Sequence, residues 1–209
     1  MNFTQITQIK GVRWFVSACS VAAVGLMLSS IIGRSSVYAA DCDHIRWDLL
    51  HVDFSTMPAT ITPGGTAIAS ADVTTNTIAF TDASGTFVAP ASGAISPDVT
   101  GGGKWRASDG KSGMFTVTAL VTWQFATLQP FPNPNDLVDP SHHGANGSAI
   151  LKIHYDDGSD GILGIGCHDG NAPPGIQEGV IAIKGYITYW LGAAHGPGVD
   201  INFTSFHIL

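Results

Sequence analysis

"MFTVTALVTWQF", residues 114–125, decides the fold class. Its odd positions are Phe115, Val117, Ala119, Val121, Trp123 and Phe125, and its even positions include Thr116, Thr118, Thr122 and Gln124. Alternation of this kind is a half-buried strand, because successive side chains of an extended chain point to opposite faces. One face packs into a core and the other is wet or lines a ligand.

The same period of two runs outward in both directions. Upstream lie "HIRWDLLHVDF" (44–54), "TAIASADV" (66–73), "NTIAFTD" (76–82) and "GTFVAP" (85–90). Downstream lie "SAILKIHYD" (148–156), "GILGIGCH" (161–168), "GVIAIKGYITYWL" (179–191) and "VDINFTSFHIL" (199–209). Asp109-Gly110 joins two runs and predicts a type I′ hairpin, in which both central residues take positive φ. Asp157-Gly158-Ser159 predicts a three-residue hairpin loop that pairs Tyr155 with Gly161, Ile153 with Leu163 and Leu151 with Ile165. In that register the apolar sets share one face. About eight to ten strands on one chain predict an all-β fold, either a single antiparallel β-barrel or a two-sheet β-sandwich. Small residues at Ala67, Ala69, Gly164 and Gly166 favour the barrel, since they let a sheet curl. The longest irregular stretch, "LQPFPNPNDLVDPSHHGANG" (128–147), reads as a lid or binding edge.

The first 40 residues have a different character. Lys10 and Arg13 precede a 19-residue apolar run, Trp14 to Ile32, and Val37 and Ala39 satisfy the small-residue rule for signal-peptidase cleavage. Residues 1–39 are therefore expected to be a signal-peptide helix, cleaved near Ala39 or Ala40, although the run is also long enough for an uncleaved anchor. Residues 40–209 form one expected domain, secreted or periplasmic. The leader holds three of the nine basic residues and no acids, so the remainder carries six bases against 16 acids, a formal charge of −10. Such a surface repels phosphate backbones, which argues against nucleic acid and anionic membranes as partners.

With Cys19 in the leader, Cys42 and Cys167 remain, and export predicts a disulfide between them. Closing so long a loop would contribute roughly 4–5 kcal/mol by chain entropy. Cys167-His168 does not read as a nucleophile and base, because neighbours on a strand face opposite ways.

Asp156, Asp157 and Asp160 are hard oxygen donors at close spacing and raise a Ca²⁺ loop as an alternative to turn chemistry. The calcium-loop pattern fails at Gly158 and Cys167, which favours the turn. Eight histidines follow the leader, with no HxH or HxxxH spacing. His142 and His143 sit in the long loop, and His168 could join them around a transition metal or substrate if the loop covers that strand end. No cofactor is called for by motif. Trp105 and Trp190 are candidate rim aromatics for a sugar or apolar ligand; of the neighbours Tyr189 and Trp190, one must face outward.

The segments "SGTFVAPASGAISPDVTGGGKW", "FTVTALVTW", "LKIHYDDGSDGILGIGCH" and "EGVIAIKGYITYW" resemble a group of small exported bacterial and fungal β-proteins without assigned activity. The "SGTFVAPASG" hairpin also resembles barrels of the dirigent and allene-oxide-cyclase type. That likeness implies an eight-stranded barrel around an apolar small molecule. Three functions follow as expectations. The first is binding of a small apolar ligand in the barrel mouth or interior. The second is a barrel-based cyclase or isomerase, or a metal-assisted hydrolase using His142, His143 and His168. The third is extracellular adhesion or carbohydrate binding.

Overall fold

The computed structural model describes residues 44–72, 75–89, 95–129, 135–192 and 199–209. The expected signal peptide, its cleavage site and Cys42 lie outside the described residues. Twelve strands occur: β1 (His44–Asp53), β2 (Thr60–Pro63), β3 (Thr66–Ser70), β4 (Thr77–Val88), β5 (Val99–Ala107), β6 (Ser112–Leu128), β7 (His143–Tyr155), β8 (Asp160–Cys167), β9 (Gly179–Lys184), β10 (Ile187–Tyr189), β11 (Leu191–Gly192) and β12 (Phe203–Ile208). All belong to one antiparallel sheet, with no helix among the described residues.

Pairing runs β7-β12-β1-β4-β5-β6 and returns to β7, so six strands close a hydrogen-bonded ring. It is not a clean barrel, because two long strands fork. β4 gives Thr77–Thr81 to β3 and Ser84–Val88 to β1, with a register shift between Thr81 and Ser84. β7 gives His143 and Gly144 to β12 but Gly147–His154 to β8. Past the forks the wall continues as β8-β9-β10 on one side and β3-β11 on the other.

Side chains bridge the gap between the fork arms. Asn202, in the left-handed region at φ 62°, accepts from Ile68 N through Oδ1 at 2.6 Å, and its own N–H donates to Thr66 O at 2.8 Å. It thereby supplies the partners that a missing strand would.

The interior is filled. Trp47, Phe80, Phe87, Phe115, Tyr155 and Phe206 are all buried inside the sheet. Trp123 and Phe206 pack edge to face at 4.6 Å, and Phe80 and Phe115 at 5.4 Å. A ligand inside the ring would have to displace these aromatics, so the interior half of the ligand expectation gives way to a packed core.

β6 departs from strict alternation. Phe115 and Val117 are buried as expected, but β6 slips against β7 between Val117 and Ala119, between Leu120 and Thr122 and between Phe125 and Thr127. Each slip adds a residue to β6 and resets its phase. Leu120 is thereby fully buried, and Phe125 ends up exposed.

Both hairpin turns differ from expectation, the first in loop length and the second in position. At Asp109-Gly110 the loop has three residues: Ala107 N donates to Lys111 O at 2.8 Å, and only Gly110 takes positive φ, 91°. Asp109 accepts from Lys111 N at 3.0 Å, a local bond that a type I turn followed by a glycine bulge provides. The β7–β8 turn repeats this device with Gly158 at φ 87° and Tyr155 N donating to Ser159 O at 2.8 Å. Ile153 consequently pairs with Gly161 and Leu151 with Leu163. That register differs from the expected one by two residues, so every side chain keeps its face.

Candidate functional site

The described part of the long loop does not close the barrel mouth. It lies along the outer face of β1, β2 and β12. Ile61 N donates to Asn135 O at 3.0 Å, and Leu137 N to Ile61 O at 2.9 Å, a short parallel bridge to β2. Val138 packs on Leu50 and Val52, outward residues of β1. Beneath it Arg46 grips buried Asp48 with two bonds, Nε at 2.7 Å and Nη2 at 2.9 Å, and gives Nη1 to Val138 O at 3.0 Å.

A pocket of about 230 Å³ opens beside this cover. Leu50, Val52, Ile61 and Phe203 form its apolar side. Gln129, Asp136, His168, Asp169, Glu178 and Ser205 stand on the polar side. Asp136 is held by His207 Nε2 at 3.0 Å and by Val138 N at 2.9 Å. Burial pushes its carboxyl up, but those two donors outweigh burial and leave it below the ordinary carboxylate range. The Ser205 hydroxyl and His207 Nδ1 are buried with no hydrogen-bond partner.

Glu178 is the centre of the site. It follows the loop after β8 and ties the start of β12 to the end of β8 across the fork. Oε1 lies 2.6 Å from Thr204 N and 3.0 Å from Thr204 Oγ1, and Oε2 accepts from His168 N. Burial dominates and pushes its carboxyl up to about 8, against the pull of those N–H groups. A second pocket, about 210 Å³, shares Glu178 and is lined by Ile150, Gly164 and Ile181 among others.

Of His142, His143 and His168, only His168 lines the main pocket. Its Nδ1 bonds Ile176 O at 2.9 Å and therefore carries the ring proton. His142 bonds Asp139 Oδ1 at 2.7 Å within its own turn, and His143 sits on β7 opposite Ile208. The three aspartates each serve a different partner. Asp156 accepts from Trp105 Nε1 at 3.1 Å and Met114 N at 2.8 Å, Asp157 binds Lys184, and Asp160 bonds His154 at 2.7 Å. Their carboxylates are spent on separate groups, in keeping with turn chemistry. Among the described residues no three or more His, Cys, Asp or Glu side chains gather in a metal-holding group.

The expected bridge from Cys167 ends at Cys42, which lies outside the described residues; within them Cys167 is a free, buried thiol. Gln129 Nε2 lies 3.5 Å from its sulfur, and burial keeps the thiol protonated by pushing its pKa up. Its sulfur sits beside the Phe206 backbone, and Phe206 pairs with Trp47. Trp105 is no rim aromatic. It is 3 % exposed, stacks edge-on with Tyr155 at 5.5 Å and lies under Lys184 Nζ at 4.3 Å. Trp190 does face outward, and its neighbour Tyr189 is buried.

Sequence reasoning missed Asp136, Thr204, Ser205 and the role of Glu178. The available signal was that Glu178 is the chain's only glutamate among 16 acids. Comparison with family models, with curated proteins and with solved structures finds no match.

Proposed function

We propose that the protein binds a small, mostly apolar molecule in the pocket between Phe203 and Glu178, and that it does so outside the cytoplasm after loss of residues 1–39. The pocket carries the reading: its lining combines the apolar side chains of Leu50, Val52, Ile61 and Phe203 with hydrogen-bonding groups on Gln129, Asp136, His168 and Glu178. Sites of this composition bind amphipathic molecules, with the apolar wall supplying affinity and the few polar groups orientation. The leader's charge and apolar pattern supports export. No catalytic step is assigned, since Cys167 stays a protonated thiol and the three histidines do not converge.

The test is a titration of the folded protein with 1-hexanol, followed by backbone amide NMR. Shifts should concentrate at Leu50, Val52, Ile61, Phe203 and Thr204, and a pocket-filling Ile61→Trp variant should lose them. Saturating hexanol that leaves those amides unmoved sinks the reading. A second reading, carbohydrate binding, is favoured by Trp190 at 62 % and Tyr186 at 96 % exposure. Aromatic rings so open offer stacking faces to a sugar. Glycan-array hits lost in Trp190→Ala would support it, and a blank array would retire it.

A further inference from the structure

The Glu178–Thr204–Gly166 geometry poses a counting problem for protons. Thr204 Oγ1 has one hydrogen and two close oxygen neighbours: Gly166 O at 2.8 Å and Glu178 Oε1 at 3.0 Å. A carbonyl and a carboxylate both only accept, and one hydrogen shared between them serves neither in full. A proton on Glu178 directed at Thr204 Oγ1 satisfies both contacts, with the Thr204 hydrogen on Gly166 O and Glu178 still accepting from Thr204 N and His168 N.

A neutral acid at the edge of a pocket is a proton that a ligand can replace. The charged and titratable groups around it are few. Asp169, His168 and Cys167 face it from the end of β8, Asp136 from the 135–139 segment, and His207, behind Asp136, from β12. β1 contributes only Leu50 and Val52, and β12 adds the neutral Thr204 and Ser205. Among the described residues no lysine or arginine lines the pocket. Its acceptors are the Asp169 and Asp136 carboxylates, His168 Nε2 and the last lone pair of Glu178.

We propose that the pocket's ligand is a small primary amine with a short apolar chain, whose ammonium head takes the place of the Glu178 proton. This rests on the pocket reading above and names the ligand class. The exchange balances: R–NH3⁺ enters, Glu178 COOH becomes COO⁻, and one H⁺ leaves to solvent. The ammonium donates to Glu178, while the chain lies on Leu50, Val52, Ile61 and Phe203. The pair forms where burial strengthens the attraction between opposite charges. Burial of the acid, which holds its pKa near 8, sets the pH range in which the exchange is visible.

The test is calorimetry of the full protein with n-hexylamine, n-hexanol and hexanoate in buffers of different ionisation enthalpy. Hexylamine should release about 0.9 proton per molecule bound at pH 7 and about 0.1 at pH 9, with affinity about tenfold tighter at pH 9. Hexanol should bind with no proton release, and hexanoate more weakly than either. In Glu178→Gln, which removes the titrating group, hexylamine should lose its proton release and its advantage over hexanol. Hexanol binding with hexylamine no tighter than hexanol, or amine binding without proton release at pH 7, overturns the amine assignment and leaves the pocket reading intact. Failure of hexanol and hexylamine alike overturns both.

Discussion

The two faces of β1 are both buried, and they are buried for different reasons. Ile45, Trp47 and Leu49 point into the closed ring and meet Phe87, Phe206 and their neighbours. Arg46, Asp48, Leu50 and Val52 point outward and are covered by the chain around Asp136–Val138, more than 80 residues away in sequence. The inner face needs only apolar side chains every second residue. The outer face needs a charge pair, a loop of the right length and a carbonyl placed for Arg46. The inner side yields a solid core, and the outer side yields the polar pocket.

Substitutions on each face test whether the two kinds of burial are distinct. The largest effect belongs to the inner face. Trp47→Ala, which empties the centre of the ring, should cost about 3–5 kcal/mol in urea unfolding; a loss near zero would mean that the interior is not the packed core described. Next comes the acid between the fork arms. Glu178 titrates near 8 when folded and at an ordinary 4.5 when unfolded. A raised carboxyl binds its proton more tightly in the folded chain, so its stabilisation is whole below about 4.5 and is lost as pH rises through about 8. Urea midpoints should therefore fall between pH 5 and pH 9, by roughly 2–4 kcal/mol in stability, and Glu178→Gln should flatten that slope. Asp136 acts oppositely: its lowered pKa gives stability that is lost as pH drops below the ordinary carboxylate range.

On the outer face of β1, Asp48→Ala leaves Arg46, which is 31 % exposed, without its partner. The cost should be about 1–3 kcal/mol, less than for a fully buried pair because water reaches Arg46. A loss as large as that of Trp47→Ala would erase the distinction between the faces. Smallest of all, Trp190→Ala should change stability by less than about 0.5 kcal/mol, since its ring packs against little. A larger change would show that Trp190 belongs to the core after all.

How much was legible follows the same division. Alternation found Phe115, Val117, Leu151 and Ile153 on the inner face, and Asp-Gly placed both hairpins. The bulges in β6 were not legible: a residue such as Thr118 falls out of register because the ring must curl, and curling is a property of the closed sheet. The candidate site was nearly invisible. His168 was singled out for its proximity to Cys167 and for metal chemistry, and its actual part is a backbone N–H given to Glu178. Asp136 lay unremarked in the long loop, and its partner His207 stands 71 residues further on. Nothing local marks such a pair.

Alternation and turn residues were enough for the all-β class, for Phe115, Val117, Leu151 and Ile153 facing inward, and for one ring of the pair Tyr189 and Trp190 facing outward. These depend on side chains two residues apart and on turn residues, so a short window contains the whole cause. That the ring forks, that a distant loop covers β1, that Trp190 and not Tyr189 is the exposed ring and that burial pushes the Glu178 carboxyl up came only with the assembled sheet. The energy of a carboxyl depends on which distant groups exclude water from it and which N–H groups reach it. Those groups come together only when β8 and β12 meet.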